Sequence, residues 1–116
     1  MRDTDTPLDV RTDVDGSLVV QPHGAMEDDC AVLFSQVLVR AVRKVRPLRL
    51  ILDLSDVTAV DPINLGTVAA LCDLADDQHV IVFIDNASVT ITDGLRAAGV
   101  PPQRLRARTP VGLATL

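Results

Sequence analysis

Apolar and polar residues alternate in the first patterned segment of the chain. An Asp-Gly pair, Asp15-Gly16, separates this segment from a second apolar run, Leu18–Val20. Alternation with a period of two is typical of a strand with one buried face, and Asp-Gly between two such runs is a hairpin signal. We therefore predict a β-hairpin whose first strand contains Leu8, Asp9, Val10, Arg11, Thr12, Asp13 and Val14.

Three later stretches are predicted to be helices, the first two from apolar residues at helical spacing. The first covers about residues 30–45, follows acidic residues and ends in basic ones before Pro47, an order of charges that complements the helix dipole. The second covers Asn64–Ala75, and the third covers Val89–Ala98 with Gly99 as its C-cap. On the first two helices the residues predicted to be buried are Cys30, Phe34, Val37, Leu38, Ala41 and Val45, and Leu65, Val68, Ala69, Cys72 and Ala75.

Two nearly continuous apolar runs, Leu48–Leu54 and Val80–Ile84, have the length of strands that are buried on both faces of a sheet. Leu105–Ala107 is predicted to form a last edge strand, and Thr109-Pro110 to begin a short terminal helix. Strands and helices in this order predict an α/β fold with parallel crossovers. We expect a mixed β-sheet of four to five strands with about three to four helices packed against it.

The length of 116 residues, with 47% hydrophobic and 23% charged residues, predicts one globular domain over residues 1–116 with a core at about 8–108. A chain of this size has no room for separate cofactor and substrate domains. Its apolar runs are too short to span a bilayer, and the segment Met1–Asp9 is polar and acidic, unlike a secretory signal. We therefore expect a cytoplasmic protein without direct membrane insertion.

The charge balance is acidic, with 11 Lys and Arg against 16 Asp and Glu, and Phe34 and Phe83 are the two aromatic residues. These features argue against nucleic acid as a direct partner, because phosphate is repelled and stacking platforms are lacking. From position 53 to position 93 the charged residues are all acidic. They predict a negative surface that steers a basic partner, or else ordinary solvated charge: Asp53, Asp56, Asp61, Asp73, Asp76, Asp77, Asp85 and Asp93.

The residues that commonly carry catalysis or metal binding do not form a recognisable set. Cys30 and Cys72 are far apart in the sequence, and His23 and His79 lack further ligands at metal spacing. The simplest interpretation places the cysteines in helix packing as reduced thiols and the histidines in turns. We therefore expect no cofactor, no metal site and no enzyme activity.

Five segments occur in an order that points to a known family: Gly24–Glu27, Leu50–Asp61, Leu65-Gly66, Asn86–Val89 and Leu95–Val100. Together they resemble the successive landmarks of the STAS domain, the sulfate-transporter and anti-sigma-factor-antagonist family, over about Leu8 to Leu105. The resemblance implies a protein that binds rather than catalyses. Stand-alone members of this size typically bind an anti-sigma kinase and so release a sigma factor.

The family's signature loop reads Asp-Ser-Ser-Gly-Leu-Gly, and its second serine accepts the phosphate that switches the protein off. Here the segment Asp61–Gly66 reads Asp-Pro-Ile-Asn-Leu-Gly, so Ile63 stands at the acceptor position and offers no hydroxyl. The resemblance therefore implies partner binding without phosphorylation at this site. The partner-binding residues that it implies are Asp61, Pro62, Ile63, Asn64, Thr67, Thr58 and Glu27.

Several alternatives stay open at the level of the sequence. Asp61 is as well explained as a helix cap as by contact with a partner, and a hydroxyl such as that of Thr67 usually bonds its own helix backbone. The favoured partner is an anti-sigma factor or a related kinase-like protein. The rival function is that of a cytoplasmic STAS accessory subunit of a membrane lipid or anion transport complex, and a homodimer also remains open.

Overall fold

A computed structural model describes residues 8–107, which form seven strands and three α-helices. The strands are β1 (Leu8–Thr12), β2 (Leu18–Pro22), β3 (Gly24–Met26), β4 (Arg49–Asp53), β5 (Val57–Val60), β6 (Ile81–Asp85) and β7 (Leu105–Arg106). The helices are α1 (Asp28–Arg40), α2 (Pro62–Asp77) and α3 (Val89–Ala98).

A mixed sheet of five strands in the order β1-β2-β4-β6-β7 forms the centre of the molecule. The predicted hairpin is confirmed, because β1 and β2 pair antiparallel and Gly16 takes the positive φ of 87° in the turn. The other neighbours pair parallel, and β7 is the predicted edge strand. The α/β fold class with a mixed sheet is therefore confirmed.

The core lies on one face of this sheet. Val20, Leu50, Leu52, Val82 and Ile84 project to that face and are at most 1% exposed. The prediction that the run Leu48–Leu54 is buried on both faces is wrong in part. Leu48 precedes β4 and is 76% exposed, whereas Arg49, Ile51 and Asp53 alternate onto the second face and are half-buried.

The predicted first helix has the expected extent but changes type near its end. Beyond α1 the chain continues as a π-helical turn, Ala41–Val45, which is closed where the Arg46 N–H donates to the Ala41 oxygen at 2.9 Å. The wider turn alters which side chains face the core. Val42 is fully buried, whereas Val45 is 56% exposed, so the prediction that Val45 is buried is wrong.

The second and third helices follow the sequence pattern closely. Helix α2 begins two residues before the predicted start and buries Val68, Cys72 and Ala75 as predicted, while Leu65 and Ala69 are half-buried. Helix α3 has the predicted bounds, and Gly99 ends it with a φ of 109°. None of the described helices is long and apolar enough to cross a membrane. The helix predicted after Thr109-Pro110 lies outside the described residues.

A second, two-stranded sheet was not predicted. Its strands β3 and β5 pair parallel, with Ala25 opposite Ala59 and Met26 opposite Val60. Each strand leads within two residues into a helix, β3 into α1 and β5 into α2. The small sheet therefore sets the relative position of the two helix starts.

Candidate partner-binding site

The starts of α1 and α2 lie side by side because β3 and β5 end next to each other. Met26 pairs with Val60, and the Asp61 N–H donates to the Met26 carbonyl oxygen at 3.0 Å. Glu27 and Asp61, the residues that follow the two strands, are the N-caps of α1 and α2. Two residues predicted to bind a partner are thus brought together at the carboxyl ends of parallel strands.

Asp61 acts as a helix cap. Its Oδ1 atom accepts a hydrogen bond from the Asn64 backbone N–H at 3.0 Å, and Pro62 occupies the first helical position. The carboxylate also lies at the positive end of the α2 dipole, which favours negative charge. Asp61 therefore has the geometry of a helix cap. Its hydrogen bond to the Asn64 N–H also orders the turn that contains Ile63.

Asn64 joins the two helix starts from inside the protein. Its side-chain nitrogen donates to Asp61 Oδ1 at 2.8 Å and to the Glu27 carbonyl oxygen at 3.0 Å, and the residue is fully buried. Its Oδ1 atom has no hydrogen-bond partner within the described residues. A buried side chain has no surface to offer a partner, so the structure gives Asn64 a positioning role where the sequence implied direct contact.

The other predicted residues differ in what they present to solvent. Ile63 is 59% exposed in the first turn of α2, beside the exposed Pro62. Thr67 is half-buried, and its hydroxyl donates to the Ile63 carbonyl oxygen at 3.1 Å, the backbone contact that the sequence favoured. Thr58 is exposed on β5, three residues before Asp61. Ile63 is thus the large apolar side chain that this loop presents.

The predicted acidic surface is distributed differently from the expectation. Asp56 and Asp61 flank β5 at opposite ends, roughly 16 Å apart along an extended strand. Asp85 is buried and accepts from Arg106 at 2.7 and 2.9 Å, so it contributes nothing to the loop. The negative charge near Asp61 comes from Glu27 and the first turn of α1, where Asp28 and Asp29 are exposed.

His23 lies at the opposite end of the small sheet and bridges two carboxylates. Its Nε2 atom is 2.7 Å from Asp9 Oδ2, and its Nδ1 atom contacts Asp56 Oδ2. Both hydrogen bonds raise the pKa of His23, because the carboxylates favour the protonated ring. The bond to Asp56 has the larger effect and the bond to Asp9 the smaller. Sequence reasoning placed His23 in a turn and missed both partners, since they are distant in the chain.

The two thiols have different surroundings, and both are free. Cys30 is half-buried and its Sγ atom donates to the Glu27 carbonyl oxygen at 3.1 Å. Burial raises the pKa of Cys72 to about 11. Within residues 8–107, no group of three or more His, Cys, Asp or Glu side chains is placed to hold a metal ion.

Comparison with known proteins gives a result at the level of structure. The sequence matches no family model, and it matches no curated protein. Solved structures match over most of the chain, and they include anti-sigma factor antagonists. The described fold is the STAS fold, as the resemblance implied.

Two of these structures are stand-alone proteins. The Bacillus cell fate determinant SpoIIAA, in its phosphorylated form, is 11% identical, with a TM-score of 0.74 over 93% of this chain and 96% of that one. An anti-sigma factor antagonist from Mycobacterium paratuberculosis is 21% identical, with a TM-score of 0.72 over 93% of this chain and 90% of that one.

A third match belongs to a much larger protein. The murine anion transporter Slc26a9, in its inward-facing state, is 22% identical, with a TM-score of 0.65. The match covers 86% of this chain and 17% of the transporter. At these identities the similarities describe the fold, and the function has to be argued from the residues of the site.

Proposed function

We propose that this protein is a cytoplasmic protein-binding regulatory module of the anti-sigma-factor-antagonist type. Its partner is an anti-sigma factor or a related kinase-like protein, and the contact surface is the start of α2. The observation that carries the proposal is the exposure of Ile63. This side chain is 59% exposed in the first turn of α2, which the Asp61 cap and the buried Asn64 hold in place. An ordered, exposed apolar side chain is suited to fill a pocket on a partner.

The residues around Ile63 contribute in different ways. Pro62 fixes the backbone at the first helical position and adds apolar surface. Glu27 and Asp61 supply negative charge, which attracts a basic patch and speeds the encounter. Thr58 on β5 and Thr67 in α2 are proposed as polar contacts for the partner. Asn64 acts from the interior by holding the two helix starts together.

The proposed module acts by binding and without phosphorylation at the family's usual position. Ile63 has no hydroxyl to accept a phosphate, and the Thr67 hydroxyl is bonded within the helix to the Ile63 carbonyl oxygen. The protein is therefore proposed to be permanently competent to bind its partner. No catalytic residue and no cofactor belong to this function.

Affinity capture from the native cell tests the proposal. Tagged wild type is compared with Ile63→Asp, which places a charge on the exposed apolar side chain, and captured proteins are identified by mass spectrometry. Val89→Asp is the matched control, since Val89 is 79% exposed in the first turn of α3. We expect a kinase-like protein to be captured by wild type and Val89→Asp and to be lost with Ile63→Asp.

The similarity to Slc26a9 supports a second candidate, a cytoplasmic accessory subunit of a membrane lipid or anion transport complex. The same capture, repeated from detergent-solubilised membranes, separates the two functions. Recovery of a membrane transport protein, in place of a kinase-like protein, would select the second candidate and reject the first.

A further inference from the structure

Helices α1 and α2 run side by side in the same direction, and an open groove lies between them. At their starts the Asn64 side chain reaches the Glu27 carbonyl oxygen at 3.0 Å. Farther along, the groove is lined from one side by Ser35, Val39 and Arg43 and from the other by Thr67, Ala70 and Leu74. The groove thus runs along both helices from Ser35 and Thr67 toward their carboxyl ends.

The length and the lining of the groove are suited to binding a helix. From Ser35 to Arg43 it spans eight residues, about 12 Å or two helical turns. Its sides are formed by small and apolar residues, and Val39 is 37% exposed although it is apolar. An amphipathic helix binds such a groove through apolar side chains spaced three, four and seven residues apart.

Unpaired positive charge is concentrated at one end of this groove. Arg40, Arg43 and Lys44 lie on the same open surface near the end of α1, and none of them forms an ion pair within the described residues. By contrast, Arg104 and Arg106 are paired with carboxylates. In a chain with a net charge of −5, three free cations beside an apolar groove form a surface suited to an acidic partner.

Beyond the other end of the groove, toward the starts of α1 and α2, the surface is acidic. Glu27, Asp28 and Asp29 are exposed at the start of α1, and Asp61 caps α2 beside them. Because α1 and α2 are parallel, their dipoles add, and a third helix is favoured in the antiparallel direction. Its acidic first turn then meets the cations, and its basic last turn meets the carboxylates.

We propose that the α1–α2 groove is a docking site for an amphipathic helix of a protein partner, acidic in its first turn and basic in its last, lying antiparallel to α1 and α2. The groove is concave and carboxylates lie beyond one of its ends, so a helix of this kind suits the surface better than a flat anionic membrane would. This docking site is additional to the function proposed above. Thr67 lines the groove and also belongs to the surface proposed there, and the carboxylates of Glu27 and Asp61 serve both surfaces.

The test uses two synthetic 18-residue peptides that are stapled to hold them helical. The first carries Glu in its first turn, a Leu and Ile face, and Lys in its last turn; the second has the same composition with the charged ends exchanged. Binding is followed by fluorescence anisotropy at low and high salt, and by amide chemical shifts of the isotope-labelled protein. We expect the first peptide to bind about tenfold more tightly at low salt, with shift changes along Val39 and Ala70.

Variants locate the binding. Arg43→Glu should weaken the first peptide about tenfold, whereas Arg96→Glu, on the exposed side of α3, should leave it unchanged. Ala70→Leu should obstruct the groove and abolish binding, with the exposed Ala97→Leu as its control. Equal binding of both peptides, absence of saturable binding, or shift changes outside the groove would overturn the proposal. So would Arg43-dependent binding to phosphatidylglycerol vesicles without peptide binding, which would assign the cations to a membrane surface.

Discussion

One oxygen of the Asp61 carboxylate accepts two hydrogen bonds from Asn64, from its backbone N–H at 3.0 Å and from its side-chain nitrogen at 2.8 Å. The first bond caps α2, and the second fixes a buried amide that also reaches the Glu27 carbonyl oxygen at 3.0 Å. A single carboxylate therefore stabilises one helix start directly and orients the residue that connects it to the other. The exposed loop residue Ile63 lies between these two partners in sequence.

Replacing Asp61 by Ala should cost more than loss of an ordinary cap. Removal of a cap costs about 1 kcal/mol, and here the buried Asn64 amide also loses an acceptor, for a total of about 2 kcal/mol. Asp61→Asn keeps an accepting oxygen and should retain most of the stability. Urea denaturation measures both, and Ser88→Ala, which removes the simpler cap of α3, is the control. Equal losses for Asp61→Ala and Ser88→Ala would contradict the dual role.

The two glycines in α2 and α3 should respond in opposite directions to larger side chains. A Cβ atom on Gly66 would meet nothing within 4 Å, so Gly66→Ala should stabilise the protein by about 1 kcal/mol through helix propensity. A Cβ on Gly94 would already lie 3.0 Å from Leu65 Cδ1, and Gly94→Val should destabilise by about 2 kcal/mol through overpacking. Thermal unfolding compares the two variants. Stabilisation by Gly94→Val would contradict overpacking and would show that Leu65 can move to accommodate the larger side chain.

The histidine bridge predicts a pH dependence of stability. Because the pKa of His23 is raised above its ordinary value of 6.5, its contribution is fully present below that value and is lost as the pH rises through the folded-state pKa. Asp9 and Asp56 are the carboxylates that face the ring. The difference in unfolding free energy between wild type and His23→Asn should therefore be larger at pH 6 than at pH 9. An equal difference at the two pH values would contradict the bridge.

The two cysteines should differ in reactivity. We expect two free thiols in denatured, unreduced protein, because the helices give each cysteine a packing environment and no internal disulfide is formed. In the folded protein Cys72 should resist iodoacetamide, since it is 2% exposed and its pKa is raised to about 11 by burial. Cys30 should react first. Mass spectrometry of alkylated peptides at neutral pH checks the order, and equal rates would contradict the burial of Cys72.

Local signals in the sequence were sufficient for much of the fold. The hairpin was predicted from Asp15-Gly16 and its flanking alternation, and the end of α3 from Gly99, because turn and cap chemistry lie within a few residues. The small sheet was not predicted, because β3 has three residues and β5 has four, too few to show a period. The pairing of these two strands is also non-local. The burial of Val42 in place of Val45 was not predicted, because the spacing argument assumes an α-helix to its end, whereas residues 41–45 form a π-helical turn.

The internal geometry of the candidate site was only partly predictable from the sequence. Family resemblance identified the loop at Asp61, and the capping geometry followed from an Asp before Pro62. The role of Asn64 depends on Glu27, 37 residues earlier, and nothing in the local sequence indicates that the amide is buried. The separation of Asp56 from Asp61 likewise follows from β5, a strand that the pattern did not reveal.

The first turn of α2 carries no hydroxyl side chain that a kinase could phosphorylate. Incubated with ATP and the kinase-like partner recovered by affinity capture, the wild-type protein should take up no phosphate in residues 61–67. Ile63 has no hydroxyl, and the Thr67 hydroxyl donates to the Ile63 carbonyl oxygen inside the helix. Intact-mass and peptide analysis measures the uptake. Stoichiometric phosphorylation of Thr67 would refute the absence of the switch.

Ile63→Ser should create a phosphorylation site, because the residue is 59% exposed and its side chain takes no part in the Asp61 cap. Phosphorylation would add roughly two negative charges beside Glu27 and Asp61, on the surface proposed to meet the partner, so binding should fall. Val89→Ser, which places a hydroxyl at the start of α3, is the control and should remain unmodified with unchanged binding. A phosphorylated Ile63→Ser that still bound its partner at wild-type affinity would show that this loop is not the interface.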